Sequence, residues 1–303
     1  MELVELNERY ALPGVLDFRH HASGLVFLEV AGPQAQARLC LQGAQLLLWQ
    51  PRSSARPVIW LSEDARYAAG RNIRGGVPVC WPWFGPAAPG SGLPNHGFAR
   101  NQHWEVLATA LDAAGLVHVR LQLSDNPASR ALWPHAFTAT LDLQIGSELR
   151  IALTSHNRSD TECLLGEALH TYFAVSDVAT ARVDGLDGCR YSNTAEGGQA
   201  GRQTGSIGFD GEFDRVYLDA PAHCVLLDPP AGRRIDIRSQ GAQSTIVWTP
   251  GPARAAQMGD LGPDGWRRMV CVESGNALEN CVRLEPGARH TLAVHYAVHD
   301  QRG

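Results

Sequence analysis

Hydrophobic residues along the chain fall in short runs with a period of two, broken by clusters of Gly, Pro, Asn and Asp. That pattern predicts strands, because successive side chains of a strand point to opposite faces. The clearest predicted strands are 25–30, 117–124, 137–145, 149–155, 215–220, 224–227, 234–238, 244–249, 269–273 and 291–298. In LRIALTS, for example, Leu149, Ile151 and Leu153 share one face while Arg150, Ala152 and Thr154 share the other. The Gly-Ser pair before it predicts a tight turn back to 137–145. Helical periodicity is scarce. The best helix candidate is a short connector at 62–69, with Ser62 as cap and Glu63 and Asp64 in the first turn. Two long Gly- and Pro-rich stretches, 70–94 and 187–211, interrupt the strands, and loops of that length commonly carry function. The expected fold is all-β, two large sheets packed around one core, with 1–303 as a single domain.

Composition narrows the chemistry. With 303 residues, 44% hydrophobic and 19% charged, a sizeable core is expected. A net charge of −5 and no basic run leave no electrostatic footprint for nucleic acid. All 26 basic residues are arginine, so no lysine is present for Schiff-base chemistry or for a P-loop. Seven cysteines without a CxxC pair suggest neither a disulfide framework nor a zinc knuckle, and point to a reducing compartment. The N-terminal residues lack the basic and apolar regions of a signal peptide. No uninterrupted apolar run approaches the roughly 18 residues of a membrane helix. A soluble cytoplasmic protein without membrane partners is expected.

Four segments carry candidate chemistry. The first is RNIRGGVPVCWPWFGP, followed by LPNHGFARNQHW. There Gly75 and Gly76 permit close backbone approach, and Trp81, Trp83, Phe84 and Phe98 offer flat faces on which sugar rings stack. Arg74 and Arg100 suit hydroxyls, a carboxylate or a phosphate. The competing reading makes these aromatics core and these arginines solvated. The second is GEALHTYFAVSD, where His170 sits in an apolar strand-like run and can serve either as proton donor and acceptor or as a bonded core residue. The third is MVCVESGNA, where Glu273 ends an apolar strand and must be paired, bonded or poised as a base. The fourth is FDRVY, where Asp214 enters a strand as a turn residue or as an acceptor for sugar hydroxyls. The other histidines show no metal-ligand spacing, GxSxG is absent, and neither a catalytic metal nor a serine hydrolase is indicated.

Taken in order, RGGVPVCWPWFGP, NHGFAR, EALHTYF, FDRVY and VESGN resemble the aldose 1-epimerase (galactose mutarotase) superfamily, in particular its hexose-6-phosphate mutarotase branch. The resemblance extends over most of the chain. It implies a large galactose mutarotase-type β-sandwich (supersandwich), no cofactor, no metal and a cleft on one sheet that holds an aldohexose. It also implies an isomerase activity, glucose-6-phosphate 1-epimerase. By that resemblance His170 and Glu273 are the catalytic pair. Arg74, Asn95, Arg100 and Asp214 stand at substrate-binding positions, and His96 supports the cleft. Asn95 departs from the glutamine common at its place and is one methylene shorter.

Anomerisation needs a base at the C1 hydroxyl and an acid at the ring oxygen, tasks that suit Glu273 and His170, while Arg74 and Arg100 would favour an anionic sugar. The expected partner is a small-molecule aldohexose, carried as its 6-phosphate, with the protein acting as a monomer. Three rivals remain at this point. A neutral-sugar aldose 1-epimerase would use the same pair. A glycoside hydrolase or lyase would need Asp214 and Glu273 as facing carboxylates. A non-catalytic sugar-binding protein would keep the fold alone.

Overall fold

The computed structural model describes residues 1–88 and 90–300. Its frame is two eight-stranded antiparallel sheets. One, here the back sheet, runs in space through Arg182–Asp184, His223–Asp228, Arg233–Gln240, Arg289–Asp300, Leu149–Asn157, Phe137–Ile145, Val117–Ser124 and Glu105–Leu111. The other, the site sheet, runs through Gln199–Arg202, Arg190–Asn193, Phe213–Leu218, Ser244–Thr249, Met269–Asn276, Glu167–Leu169 and Val79–Cys80, with Tyr172–Ala174 also paired to Met269–Asn276. A four-stranded meander from Leu16–His20 to Gln45–Pro51 flanks them.

Every predicted strand forms, and 117–124, 137–145 and 244–249 form at their predicted bounds. The back-sheet strands alternate as the sequence requires: Leu149, Ile151 and Leu153 are buried and Arg150 is exposed. One continuous core lies between the sheets, drawing Leu141 and Ile151 from one side and Val247 and Val272 from the other. The large fused pair of sheets is the all-β sandwich that the pattern implied.

Two expectations change. Residues 62–69 form no helix. Ser62 Oγ accepts from Asp64 N–H at 3.2 Å and donates to the Asp260 carbonyl at 2.7 Å, so it closes a turn and ties two loops together. The N-terminal segment, in contrast, does form a helix, Leu3–Tyr10, which buries Leu6 and Tyr10 on the core. Stretch 187–211 is only partly loop, since it contains the hairpin Arg190–Asn193 and Gln199–Arg202 at the edge of the site sheet. Among the described residues no helix is long and apolar enough to cross a membrane.

Candidate active site

Strand register decides which side chains meet. In Met269–Asn276, Val270 and Val272 point into the core, which turns Met269, Cys271 and Glu273 to the opposite face. Directly paired residues of antiparallel strands share a face. Asp214 pairs with Trp248 and Trp248 with Cys271, while Cys271 also pairs with Tyr172, so one row crosses the sheet as Asp214, Trp248, Cys271, Tyr172. In the next row Ile246 pairs with Glu273. The pairs Leu169 with Ser274 and Tyr172 with Cys271 flank a short break in the ladder, and the same register continued through it sets His170 opposite Glu273. His170 Nε2 lies 3.3 Å from Glu273 Oε1.

The outer face of this sheet is not left to solvent. Met269–Asn276 and Ser244–Thr249 are buried on both sides, because the loops around 60–100 and 250–268 fold over them. Two glycines make that approach possible. A Cβ on Gly76 would meet the Leu46 carbonyl oxygen at 2.3 Å, and one on Gly97 would meet the Trp81 carbonyl oxygen at 1.9 Å. Both have positive φ, which glycine adopts without a Cβ penalty. Gly76 seats the RGG segment on the meander strand Gln45–Pro51, and Gly97 seats NHGF on Trp81, directly after the site-sheet strand Val79–Cys80, so Arg74, His96 and Arg100 are held near His170.

His170 stacks on Tyr172, with ring centroids 4.9 Å apart and planes 11° from parallel. Trp60 stacks beyond Tyr172 at 5.9 Å, and Trp248 meets His170 edge-on at 6.1 Å. His96 meets the other side of His170 at 5.9 Å. Arg74 donates through Nη1 to Tyr172 Oη at 3.1 Å and through Nε to Asp260 at 3.2 Å. Arg100 donates to the Asn95 carbonyl at 2.7 Å, and its Nε is buried with no partner among the described residues. His170 Nδ1 and Glu273 Oε2 are likewise buried and unpartnered. Three orphaned polar atoms around one histidine–carboxyl pair are unusual in a folded interior, where such groups are normally satisfied.

Burial dominates the electrostatics. It pushes the Glu273 carboxyl well above the ordinary range, with the Asp214 charge adding to the effect and Arg100 opposing it. It pushes His170 well below its ordinary value, helped by the charges of His96, Arg100 and Arg74. The empty pair therefore favours neutral imidazole beside protonated carboxyl. Burial lowers His96 to about 3, and Arg100 and Arg74 add to that. Its Nδ1 accepts from Gly85 N–H at 3.3 Å, as a neutral ring can. Asp214 is raised to about 6 by burial, against the Arg254 charge.

The structure thus gathers His170, Glu273, His96, Arg74 and Arg100 around one buried spot, with Asp214 one row from Glu273 and close enough to shift it. Asn95 is exposed, and its Oδ1 accepts from Ala87 N–H at 3.1 Å, so it braces the loop that holds Arg100. The aromatic expectation divides. Trp81 and Phe98 belong to the core, packed with Phe137, and are no platform for a sugar. Trp83 and Phe84 are half-buried at the rim, where Phe84 packs on His96. The rings that gather around His170 are instead Trp60, Tyr172 and Trp248, which form a small buried cluster of their own. Tyr172 carries a readable signal, since it stands two residues from His170 in a strand-like run. Cys271 carries the same kind of signal, two residues from Glu273 on one strand, whereas Trp60 and Asp260 come from separate segments that no local motif marks. One further cluster stands out: donor atoms of His170, Cys271 and Glu273 all lie within 4.8 Å of one another.

A histidine–carboxyl pair is thus buried among aromatic rings on the outer face of one sheet of a large sandwich. The chain belongs to the aldose 1-epimerase family, whose pattern matches residues 28–297. A relative from Escherichia coli, named “Putative glucose-6-phosphate 1-epimerase”, is 40% identical over 262 residues, covering 86% of each chain. One of the same name from Salmonella typhimurium is 38% identical over 275 residues, covering 89% of this chain and 91% of its own. The crystal structure of a “putative mutarotase” from Salmonella typhimurium matches with a TM-score of 0.90 at 36% identity, over 97% of this chain and 96% of that one.

Proposed function

We propose that the protein interconverts the α and β anomers of an aldohexose 6-phosphate, glucose 6-phosphate first, with Glu273 and His170 as its proton-transfer pair. The observation that carries this reading is the 3.3 Å approach of His170 Nε2 to Glu273 Oε1 on the cleft floor, with the remaining nitrogen and oxygen of both side chains unpartnered. The names of the relatives support the phosphosugar.

The chemistry needs one proton on the pair, and the neutral resting form already holds it. A sugar entering the cleft separates the two groups and brings polar hydroxyls to both, which favours the imidazolium–carboxylate form of the same proton count. Glu273 takes the proton of the C1 hydroxyl. The C1–O5 bond then breaks as the O1 electrons form the aldehyde, and O5 takes the proton from His170. Rotation about C1–C2 and the reverse steps give the other anomer, restoring the proton to the pair. Each positioned acid or base contributes about 10²–10⁴ in rate. Trp60, Tyr172 and Trp248 hold the ring, and Asp214 accepts from its hydroxyls. Arg100 is the favoured phosphate partner, because Asp260 and Tyr172 already engage Arg74.

Magnetisation-transfer NMR of glucose 6-phosphate, glucose and galactose tests this with wild type, His170→Ala and Glu273→Ala. The expected result is faster anomer exchange of the phosphosugar, lost in both variants and reduced in Arg100→Ala. Equal acceleration of galactose would move the protein to neutral sugars. No acceleration of any sugar would reduce it to a binding protein.

A further inference from the structure

We propose that the cleft floor is also a binding site for a soft divalent cation, zinc above all, held by His170, Cys271 and Glu273, and that its occupancy shuts off catalysis. Cys271 and Glu273 are two apart on one strand and share its outer face, and the register sets His170 across from them. Three donor atoms of three different elements, N, S and O, converge within 4.8 Å.

The geometry is near what zinc requires. Ligand distances of about 2.0–2.3 Å in a tetrahedron put neighbouring donors roughly 3.3–3.8 Å apart. The His170–Glu273 separation of 3.3 Å already meets that, and the widest gap in the cluster closes with a shift of about 1 Å. Thiolate and carboxylate together cancel the charge of a divalent ion, so the buried complex is neutral and escapes the cost of an isolated interior charge. The thiol proton and the single proton of the His170–Glu273 pair leave to solvent as the metal binds. Imidazole and sulfur select zinc and its softer neighbours over magnesium and calcium, which prefer all-oxygen sets. Three protein ligands leave a fourth position open toward the cleft.

Such an ion would occupy the place of the anomeric centre and take the lone pairs that move protons. The inhibitory half of the inference rests on the anomerase reading, whereas the binding half stands apart from it. Cys271 has no part in the proposed proton transfers, so it separates the two roles.

The test titrates metal-free protein with cobalt(II) and with zinc(II), on wild type and Cys271→Ser. Wild type is expected to bind one ion. Its cobalt complex should show a near-ultraviolet thiolate-to-cobalt band that zinc abolishes. Anomer exchange should fall at least tenfold with zinc and recover with a chelator. Cys271→Ser should lose the band and at least tenfold in zinc sensitivity while keeping its metal-free rate, with Cys271→Ala as the substitute if the serine variant misfolds. Equal zinc affinity in wild type and variant, or a cobalt complex without the sulfur band, overturns the site. Stoichiometric binding with unimpaired exchange overturns the inhibition. If the protein accelerates no sugar, the cobalt band still reads the site, so the two proposals fail separately.

Discussion

The outer faces of the two large sheets handle polar groups in opposite ways. On the back sheet they are matched: Arg120 with Asp142, His118 with Asp112 and His295 with Glu148 in pairs open to water, and the buried Asp236 with both Arg234 and His223. On the site sheet the corresponding face is buried under loops, and its ionisable groups keep atoms without partners. Both sheets fold by the same alternation and share one core. What separates them is the cover of loops. Water satisfies and screens charges on the back sheet, where each pair contributes about 0–1 kcal/mol. On the site sheet desolvation moves Glu273 and His170 far from their ordinary protonation.

The comparison is sharpened most by isosteric changes on the two faces. Glu273→Gln should lower the anomer exchange rate by about 10²–10⁴ without lowering the melting temperature, since the amide carries no charge to bury. A large loss of stability instead would make Glu273 a structural residue and erase the distinction between the sheets.

Asp214 gives an intermediate effect with a definite sign. Its folded pKa of about 6 lies above the ordinary carboxyl value, so the fold favours its protonated form. The stability it contributes is complete below the unfolded value and is lost as pH rises through about 6. Asp214→Asn should therefore raise the melting temperature relative to wild type at pH 8 and leave it unchanged near pH 3. Substrate hydroxyls donate best to the ionised form, so the wild-type KM should fall as pH rises through about 6, and this dependence should vanish in Asp214→Asn. Thermal melts and KM profiles across pH check both halves.

The smallest effect is expected on the back sheet. Glu148→Gln, which breaks the pair with His295, should change stability by less than about 1 kcal/mol and leave anomer exchange unaltered. A change in exchange rate there would mean that the outer faces are coupled through the core.

Much of this could be read from the chain. Alternation marked 137–145 and 149–155 because half-buried strands must alternate, and Leu149, Ile151 and Leu153 face the core as their spacing requires, whereas Gln45–Pro51 and Glu105–Leu111 were not predicted. The ordered motifs carried His170, Glu273, Arg74, Arg100 and His96, and all five surround one buried spot. The failures were tertiary. Ser62 looked like a cap but closes a turn onto Asp260, a partner 198 residues away. Trp81 and Phe98 are aromatic like Trp60 and Trp248, yet the first two entered the main core and the second two gather beside His170 and Tyr172.

By itself the sequence determined the all-β architecture and the positions of the ten predicted strands, because these follow from local periodicity, and its ordered motifs carried the resemblance that singles out His170 and Glu273. Only the tertiary structure decided that Trp60 and Trp248 gather around Tyr172 and His170, that Asp260 engages Arg74, that the Cys271 thiol lies beside His170 and Glu273, and how far each proton affinity shifts. Those properties depend on distance and burial, which arise when segments remote in sequence exclude water from the same few ångströms.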